Sequence, residues 1–526
     1  MKVVVWLLIS LVLLGIVYSF STCQSEKTQG RIVVTIFDWP FAIQIQLDNE
    51  LIKTFEAKNP DIKGLLVTGN EQKYMTMVTA GVAPDVAGTG YGYIHYYAER
   101  GTILPLNDLI EADEKKRNAI VSLDKIADPA ARRKAILALD ESIADAGAKD
   151  RAIAEMDKTI ADGKTFNCAE YFNARHYYSR DDYFPATLEA VTYKGKVYAL
   201  PSTGSPVALI YNKDMFDRYN REHPDGPKLQ YPSAKWTWDD YRKAAVALTQ
   251  DRDNNGRIDV YGASMGFHRN RFPMFVWQSG GEVISTDKNR CLMDSPEAIR
   301  GIQFMYDMLW KYKCAPTAQT QIEGATEQDE SVRFKEQRIA MLLTTRYSYS
   351  KLLKEGKIIT DFEWDIAPLP KNPDTGSRTS IYIGGGWMIS AGTRNRKEAW
   401  RMAKFLVGDK ASELTMQAGR AIVANIAVAE RMTKGPNHKP DHDHLWIDIM
   451  NDCRPKDFEY RVGVAGPMFD KAMGEIYELP YDRRKPKEAC INCANFFNQG
   501  LKALREKQER DRKEREERQK KKGSGQ

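Results

Sequence analysis

Residues 31–60 read RIVVTIFDWPFAIQIQLDNELIKTFEAKNP, and this stretch decides the class of fold. Its first part, Ile32–Phe37, is rich in β-branched residues and predicts a strand. The turn Asp38-Trp39-Pro40 follows, and a helix is predicted from about Gln44 to Lys58, because Asn59-Pro60 is a typical helix stop. A strand, a turn and a helix in this order form the opening unit of an α/β domain.

The same alternation continues along the chain. Short strands are predicted at 64–67 and 84–87 with a helix at 71–79 between them, and the later strand runs into a Gly-rich loop at 88–92. After an interruption the pattern resumes at Leu188 and continues to about Leu406, before mainly helical and irregular sequence. Open α/β sheets bind ligands at the carboxyl ends of their parallel strands, so the loops that follow these strands are candidate ligand sites.

The interruption, residues 111–180, begins with an Ala-, Lys-, Asp- and Glu-rich stretch from Glu111 to about Lys164. Apolar residues recur in it at helical spacing, which predicts an inserted helical hairpin with turns at Pro129 and at Ala146-Gly147. The insert is either a docking arm for a partner or a solvated structural element. We favour the second interpretation, because charge-rich helices usually have that role.

The charge of the chain is concentrated at one end. The 526 residues carry a net charge of +6, and Leu501–Gln526 alone holds 11 Lys and Arg against 6 Asp and Glu. The rest is therefore nearly neutral, which argues against a nucleic-acid-binding face. The tail is predicted to be an isolated helix or disordered, and contact with an anionic membrane surface is its most economical role.

The N-terminus predicts export. Lys2 is followed by eighteen residues without charge, Val3–Phe20, and Cys23 stands just after them. Residues 1–23 are therefore interpreted as a signal peptide, a lipoprotein signal or a membrane anchor. Although Phe20 and Thr22 depart from the usual lipobox, we expect lipidation of Cys23 or retention of the segment, and hence a membrane-anchored protein in the periplasm or at the cell surface.

Six cysteines follow Cys23, and an even number in an exported protein predicts disulfides. The pairings that the sequence suggests are Cys291 with Cys314, and Cys453 with Cys490 or Cys493.

A possible calcium loop lies at 251–262. Asp251, Asp253, Asn255 and Asp259 occupy positions 1, 3, 5 and 9 of an EF-hand-like loop, with a glycine at position 6. Position 12 is Gly262 rather than the bidentate Glu, so the sequence predicts a weak structural Ca²⁺ site or, equally, an Asx-rich turn. No other cofactor is expected.

One short motif suggests an enzyme. Gly262-Ala263-Ser264-Met265-Gly266 matches the G-x-S-x-G nucleophile elbow of α/β-hydrolases. An acidic loop precedes it closely and Pro273 follows, which argues against the strand and helix that an elbow requires, so we interpret the match as chance.

Aromatic residues at predicted strand ends indicate a different function. Sugars present flat CH faces and a rim of hydroxyls, so a sugar site needs aromatic platforms together with hydrogen-bonding groups. Each aromatic taken singly is more often a core residue, but several at strand ends favour a sugar site. The candidate platforms and their polar neighbours are Trp39, Tyr91, Trp277, Arg346, Tyr347, Gly386 and Trp387.

An ordered series of short motifs resembles the family 1 extracellular solute-binding proteins of bacterial ABC importers, the group that includes maltose-binding protein. The motifs, in order, are FEAKNPDI (55–62), AGVAPDV (80–86), LPL (104–106), YKGKVYALP (193–201), LIYNKDMF (209–216), TWDDY (237–241), GG (280–281), IAM (339–341), GGW (385–387), AW (399–400) and KFL (404–406).

The resemblance implies a two-lobed α/β fold of the type II periplasmic-binding-protein class, with a helical insertion in the N-terminal lobe, a charged tail and a ligand in the cleft between the lobes. It implies that Trp39, Tyr91, Gly386 and Trp387 line the N-terminal lobe, and that Trp277, Arg346 and Tyr347 line the C-terminal lobe. The predicted boundaries are 31–200 and 377–425 for the N-terminal lobe, 207–368 and 426–500 for the C-terminal lobe, and 501–526 for the tail.

The resulting hypothesis is a solute-binding protein that captures an oligosaccharide or glycoside and delivers it to an ABC permease. We expect it to be a monomer without enzymatic activity and without nucleic-acid partners. Two alternatives remain open: a sensor or scaffold with the same fold, and an exported serine hydrolase built around Ser264.

Overall fold

The computed structural model of the protein describes residues 30–265, 271–287, 290–316, 327–354, 357–358, 360–419, 421–434, 440–455 and 485–523. The predicted signal or anchor at 1–23, including Cys23, lies outside these residues. The strands are β1 (Ile32–Asp38), β2 (Ile62–Thr68), β3 (Val86–Gly90), β4 (Thr192–Tyr193), β5 (Lys196–Val197), β6 (Ala199–Pro206), β7 (Ala208–Asn212), β8 (Met341–Thr344), β9 (Leu353–Lys354), β10 (Lys357–Ile358), β11 (Trp364–Ala367), β12 (Ser380–Ile389) and β13 (Cys453–Pro455).

Helices cover these strands and form the insert. They are α1 (Ala42–Lys58), α2 (Glu71–Thr79), α3 (Tyr91–Glu99), α4 (Asn107–Leu123), α5 (Pro129–Leu137), α6 (Ala146–Ala161), α7 (Cys168–Tyr171), α8 (Pro185–Ala190), α9 (Lys213–Glu222), α10 (Trp238–Leu248), α11 (Phe272–Gln278), α12 (Pro296–Tyr306), α13 (Glu327–Lys335), α14 (Tyr349–Leu352), α15 (Arg396–Val407), α16 (Asp409–Gln417), α17 (Ile426–Thr433), α18 (Leu445–Asn451) and α19 (Pro486–Gly523). Short 3₁₀ turns occur at Ala174–His176, Arg180–Asp182 and Arg346–Ser348, and a π-helical turn, Asp307–Lys311, continues α12.

The first lobe is built on a six-stranded sheet. Its strand order is β13-β12-β3-β1-β2, with β6 also paired to β12. The predicted opening unit is present, since β1 pairs in parallel with β2 and with β3, and α1 connects β1 to β2. The long strand β12 runs antiparallel to both β3 and β6. The carboxyl ends of β1 and β3 thus lie side by side, next to the glycine-rich middle of β12.

The second lobe contains a smaller sheet with the order β11-β7-β8, in which both pairings are antiparallel. The chain enters it at Val207, between β6 and β7, and leaves it after β11. The apolar core of this lobe gathers residues of β7, β8, α10, α11 and α12. The chain crosses between the lobes in short segments, which is the arrangement that permits hinge closure.

The predicted assignment of 426–500 to the C-terminal lobe is wrong for α17 and β13. Strand β13 pairs in parallel with β12, with Ser380 opposite Cys453, so it extends the sheet of the first lobe. Helix α17 packs on α16, and α18 packs on β6. The start of α19 joins the core of the second lobe through Cys490 and Phe497, and the backbone N–H of His442, just before α18, also contacts that lobe by donating to Asp365 of β11. Apolar spacing predicts which face of a helix is buried but does not identify the lobe that buries it.

The insert is not the predicted hairpin. Helices α4 to α7 enclose a small apolar core of their own that includes Leu123, Ile136 and Met156. Pro129 is the first residue of α5 rather than a turn, because the side chain of Asp128 accepts a hydrogen bond from the backbone of Ala131 and caps the helix. Ala146 begins α6 in the same way after an Asp cap. Pro and Asp therefore mark helix starts here.

The proposed disulfides are also wrong. The structure joins none of the six cysteines after Cys23 in a disulfide, and all six are buried. Cys453 lies in the core of the first lobe, whereas Cys490 and Cys493 lie in the core of the second. The predicted partners are therefore in different lobes. Cys314 is buried beside Met308, with its Sγ 3.5 Å from the Met308 carbonyl oxygen.

The charged tail is a continuation of α19. This helix has 38 residues, and its first part is anchored in the second lobe through Ala494 and Leu501. The side chains described beyond Leu501 are exposed. Glu509 and Lys513 form an ion pair of 3.3 Å one turn apart, which supports an exposed helix. Within the described part of the chain, no helix is both long enough and apolar enough to cross a membrane.

Candidate ligand-binding site

A cavity of about 330 Å³ lies at the carboxyl ends of β1 and β3, between the first lobe and the turn that follows β8 of the second lobe. This is the place where open α/β sheets bind ligands. Its wall consists of Asp38, Trp39, Gln44, Leu47, Asp48, Leu51, Gly88, Thr89, Gly90, Ser202, Thr203, Ser205, Thr345, Tyr347, Ile383, Gly384, Gly385, Gly386, Trp387, Leu406, Ser412, Thr415 and Ala421.

Four of the seven residues predicted from the sequence lie in this wall. Trp39 follows the end of β1 and is half-buried, and Gly386 and Trp387 belong to β12. Tyr347 comes from the second lobe, in the turn after β8. The structure therefore brings three aromatic rings to one cavity from three separate segments of the chain.

The other three predicted residues have different surroundings. Tyr91 is buried behind the wall, and its hydroxyl donates a hydrogen bond to the Thr203 carbonyl oxygen. Burial raises the pKa of Tyr91 well above its usual value. Trp277 is buried in α11, in the core of the second lobe, with the Arg454 guanidinium 4.5 Å from its ring centre. These two aromatics are core residues rather than parts of the cavity wall.

Arg346 is also a packing residue. Its side chain is buried, and its guanidinium lies 3.4 Å from a carboxylate oxygen of Asp443 and 3.4 Å from the Met416 carbonyl oxygen. It also lies 4.7 Å from the ring centre of Tyr349. Because Arg346 follows β8 of the second lobe and Met416 lies in α16 of the first, the arginine connects the two lobes.

Two carboxylates in the wall were missed by the sequence reasoning. Asp38 ends β1 and accepts a hydrogen bond of 2.8 Å from the backbone of Trp39. Asp48 lies in α1 and accepts a hydrogen bond of 2.6 Å from the side chain of Gln44, one helical turn earlier. Asp38 could have been identified from its position at a strand end beside Trp39. Asp48 could have been identified from its spacing of four residues from Gln44 on one helix face.

Glycines provide the room for this arrangement. A Cβ added at Gly88 would lie 2.8 Å from the Asp38 carboxylate and 3.2 Å from the ring of Trp387. Real Cβ atoms essentially never approach other atoms so closely, so any side chain at this position would displace Asp38 or Trp387. The glycine at position 88, within β3, is thus required by the packing of two wall residues.

The wall favours an uncharged, hydroxyl-rich ligand. Its polar groups are two carboxylates, an amide and several Ser and Thr hydroxyls, and among the described residues it includes no Lys, Arg or His. Carboxylates accept hydrogen bonds and repel anions, so the cavity is unsuited to phosphate or carboxylate ligands. Aromatic faces combined with acceptors of this kind match the surface of a sugar.

The predicted calcium loop forms a compact surface turn. One carboxylate oxygen from each of Asp251, Asp253 and Asp259 lies within 4.8 Å of the others. Asn255 donates a side-chain hydrogen bond of 2.7 Å to Asp253. Position 12 of the loop cannot provide a ligand, because a side chain on Gly262 would collide with the backbone of Ala245. Three carboxylates fit a Ca²⁺ ion, but the donor set is smaller than in a full EF-hand loop.

Ser264 lacks the surroundings of a nucleophile. It is fully buried, and its hydroxyl donates a hydrogen bond of 2.7 Å to Glu330. The hydroxyl of Tyr241 donates to the Ser264 carbonyl oxygen at 2.7 Å. A nucleophile elbow holds its Ser at an exposed turn where a substrate can reach it, so this geometry argues against the hydrolase alternative.

Comparison with known proteins identifies relatives of this chain. Residues 169–413 match the family of bacterial extracellular solute-binding proteins. A maltotriose-binding protein of Pyrococcus abyssi is 26% identical over 224 residues, which cover 42% of this chain and 42% of that protein. The chain thus aligns with less than half the length of this curated relative.

Solved structures share the fold over nearly the whole chain. An ABC substrate-binding protein from Listeria monocytogenes in complex with cycloalternan superposes with a TM-score of 0.64 at 20% identity, covering 90% of this chain and 99% of that one. Maltose-bound MalE3 of T. maritima superposes with a TM-score of 0.60 at 18% identity, covering 90% and 100%. The predicted two-lobed α/β fold is confirmed by these likenesses. Residues 169–413 thus resemble bacterial extracellular solute-binding proteins in sequence, and the chain shares the two-lobed fold of the solved structures.

Proposed function

We propose that the protein captures a carbohydrate in the cavity between its lobes and delivers it to the permease of an ABC importer. The observation that carries this proposal is the composition of the wall. Aromatic rings of Trp39, Tyr347 and Trp387 lie beside hydrogen-bond acceptors such as Asp38 and Asp48. The names of the relatives point in the same direction, since they mention maltotriose, maltose and cycloalternan.

The mechanism would be differential binding to two states. Most of the wall belongs to the first lobe, whereas Thr345 and Tyr347 belong to the second. A ligand that contacts both lobes only when they are close stabilises the closed state by those added contacts. The permease can then distinguish loaded from empty protein by the separation of the lobes, and no chemical step on the ligand is needed.

We further propose that the protein works outside the cytoplasm as a monomer held at a membrane, through lipid on Cys23 or through an uncleaved N-terminal segment. The hydrophobic run that precedes Cys23 supports this. Mass spectrometry of Cys23 peptides from the native membrane fraction would distinguish a diacylglycerol-modified cysteine from an intact segment 1–23.

Trp39→Ala is expected to weaken sugar binding about tenfold to a hundredfold, because loss of one buried aromatic contact is worth about 1.5–3 kcal/mol. Titration calorimetry with the sugar that most raises the melting temperature in a panel would measure this. Trp39→Phe should retain most of the affinity, and Tyr171→Ala, an exposed aromatic on the insert, should retain all of it. Wild-type protein that responds to peptides or polyamines but to no sugar would contradict the proposed function.

We also propose a weak Ca²⁺ site at Asp251, Asp253, Asn255 and Asp259, supported by the convergence of the three carboxylates. Millimolar Ca²⁺ is expected to raise the melting temperature by mass action, because sites of this kind bind with dissociation constants on the order of 10⁻⁴–10⁻³ M. The shift should vanish in Asp253→Asn. It should persist in Asp225→Asn, an exposed acid outside the loop. Equal shifts with Ca²⁺ in both variants would mean that the loop is only a turn.

A further inference from the structure

A second cavity lies on the second lobe, apart from the cavity between the lobes. Its volume is about 940 Å³, at the upper end of the range for small-molecule sites. The loop 227–236, helix α10 and strands β7 and β11 border it, together with residues at the start of α18. Among the described residues, none lines both cavities. The two cavities are therefore separate, and we call the second one the loop groove.

The loop that borders the groove is fixed near both of its ends. Near its start, the Asn220 side chain of α9 donates a hydrogen bond of 2.9 Å to the Leu229 carbonyl oxygen and accepts one of 2.8 Å from the Leu229 N–H. At its end, the Trp236 carbonyl oxygen accepts a hydrogen bond of 2.8 Å from the Lys371 N–H. The loop groove is therefore formed by the fold itself and needs no ligand to shape it.

The inner surface of the loop groove is apolar. Tyr211 and Trp236 line it and are only 4% and 8% exposed, and Ile366 and Ala367 of β11 line it as well. Tyr231 also lines the groove but is half-buried, and its ring centre lies 5.7 Å from that of Tyr211. Aromatic side chains of this kind offer large apolar contact area to a ligand. The groove thus suits a ligand with a flat apolar body.

Positive charge predominates in the wall of the loop groove, which holds three lysines and one aspartate. Lys235 and Lys243 are exposed, and neither ammonium group has an ion-pair partner in the part of the chain that the structure describes. The ammonium group of Lys228 donates hydrogen bonds to two backbone carbonyls at the end of α9. The Asp240 carboxylate accepts hydrogen bonds from the N–H and the hydroxyl of Thr237. Two lysines are therefore available to an anionic ligand.

The wall also contains a hydrogen-bond donor. The hydroxyl of Tyr211 has no hydrogen-bond partner among the described residues. Burial, with a smaller contribution from the neighbouring Asp365 charge, raises the pKa of Tyr211, so the hydroxyl keeps its proton and can donate to an acceptor. The Asp365 carboxylate itself is bonded to the backbone N–H of His442 at 3.1 Å and to its ring Nδ1 at 2.6 Å.

We propose that the loop groove is a second ligand site and that it takes an organic anion with a flat apolar body. The anionic group pairs with Lys235 and Lys243 and accepts a hydrogen bond from Tyr211, while the apolar body packs on the aromatic inner surface. The cavity between the lobes has the opposite preference, since its wall contains carboxylates and, among the described residues, no cationic side chain. The second site is thus independent of the proposed sugar binding.

The test uses the full chain and two fluorescent probes, anilinonaphthalene sulfonate and phenylnaphthylamine, which share their aromatic rings but differ in the anionic group. Lys235→Gln/Lys243→Gln is expected to weaken binding of the sulfonate about threefold to tenfold, because two exposed charge contacts are lost. Binding of the uncharged probe should stay unchanged. Tyr211→Phe keeps the ring and should weaken binding of the sulfonate about twofold to fivefold through loss of one hydrogen bond.

Lys125→Gln/Lys410→Gln is the matched control, because it removes two exposed lysines outside the groove, and it should bind both probes like the wild type. If the groove double variant binds the sulfonate as tightly as the wild type, the probe adsorbs elsewhere and the second site is wrong. A wild type that does not bind the sulfonate also overturns it. Equal losses for both probes would contradict it as well, because the lysines would then act without regard to the anionic group.

Discussion

Arg346→Met is expected to lower the free energy of unfolding by about 3–5 kcal/mol, since it removes one partner of a buried ion pair. Both side chains of the pair are almost inaccessible, at 5% for Arg346 and 0% for Asp443. The Tyr349 hydroxyl donates a hydrogen bond of 2.7 Å to the same carboxylate and stays in place in the variant. Chemical denaturation of the ligand-free protein measures the loss.

Two further variants separate the effect of the buried charge on stability from the effect of side-chain packing. The double variant Arg346→Met/Asp443→Asn should be less destabilised than Arg346→Met alone, because it contains no unpaired buried charge. Arg431→Met breaks an ion pair with Glu413 in which both partners are partly exposed, and it should change stability by only about 0–1 kcal/mol. A double variant as unstable as the single one would show that the arginine acts through packing alone.

Gly384→Ala is expected to disrupt the central sheet of the first lobe and with it ligand binding. The added Cβ would collide with the Thr203 carbonyl oxygen across the β12–β6 pairing, and it would lie 2.6 Å from the ring of Tyr91. Backbone on one side and a buried ring on the other leave it no space, and overpacking of this kind costs about 1–3 kcal/mol or more. We expect a lower melting temperature together with weaker sugar binding, since Gly384 and Thr203 both line the cavity.

Gly392→Ala is the control for this substitution. Gly392 follows the same strand, but nothing lies within 4 Å of the position that its Cβ would occupy. It should match the wild type in both melting temperature and affinity. Equal behaviour of the two variants would mean that the sheet adapts to the extra methyl group and that close packing at Gly384 does not shape the cavity.

The predicted residues that the structure places in the cavity wall are those whose position follows from the local sequence. Trp39 comes directly after a parallel strand, and Gly386 and Trp387 belong to a glycine-rich strand that can approach its neighbours closely. In such cases the strand pattern alone predicts that the residues lie at the carboxyl edge of the sheet. Tyr347 also follows a strand, β8.

Tyr91, Trp277 and Arg346 were misplaced because their sequence context resembles that of the true wall residues. What separates them is burial by distant segments: Tyr91 lies against Thr203, and Arg346 lies against Asp443. Asp48 and Gln44 were missed because their sequence context does not resemble that of the other wall residues. They lie within α1, and only the packing of that helix on the sheet turns their shared face toward the cavity.

The sequence by itself determined the fold class, the resemblance to solute-binding proteins and the approximate edge of the sheet where the candidate site lies, because these follow from local periodicity, strand order and short motifs. Only the tertiary structure decided which aromatics face the cavity and which are core, that Arg346 joins the lobes, that the insert has a core of its own, and that β13 completes the first sheet. Local sequence records whether a residue tends to be buried. The partner that buries it lies far along the chain, and the free energy of that contact depends on geometry that exists only after folding.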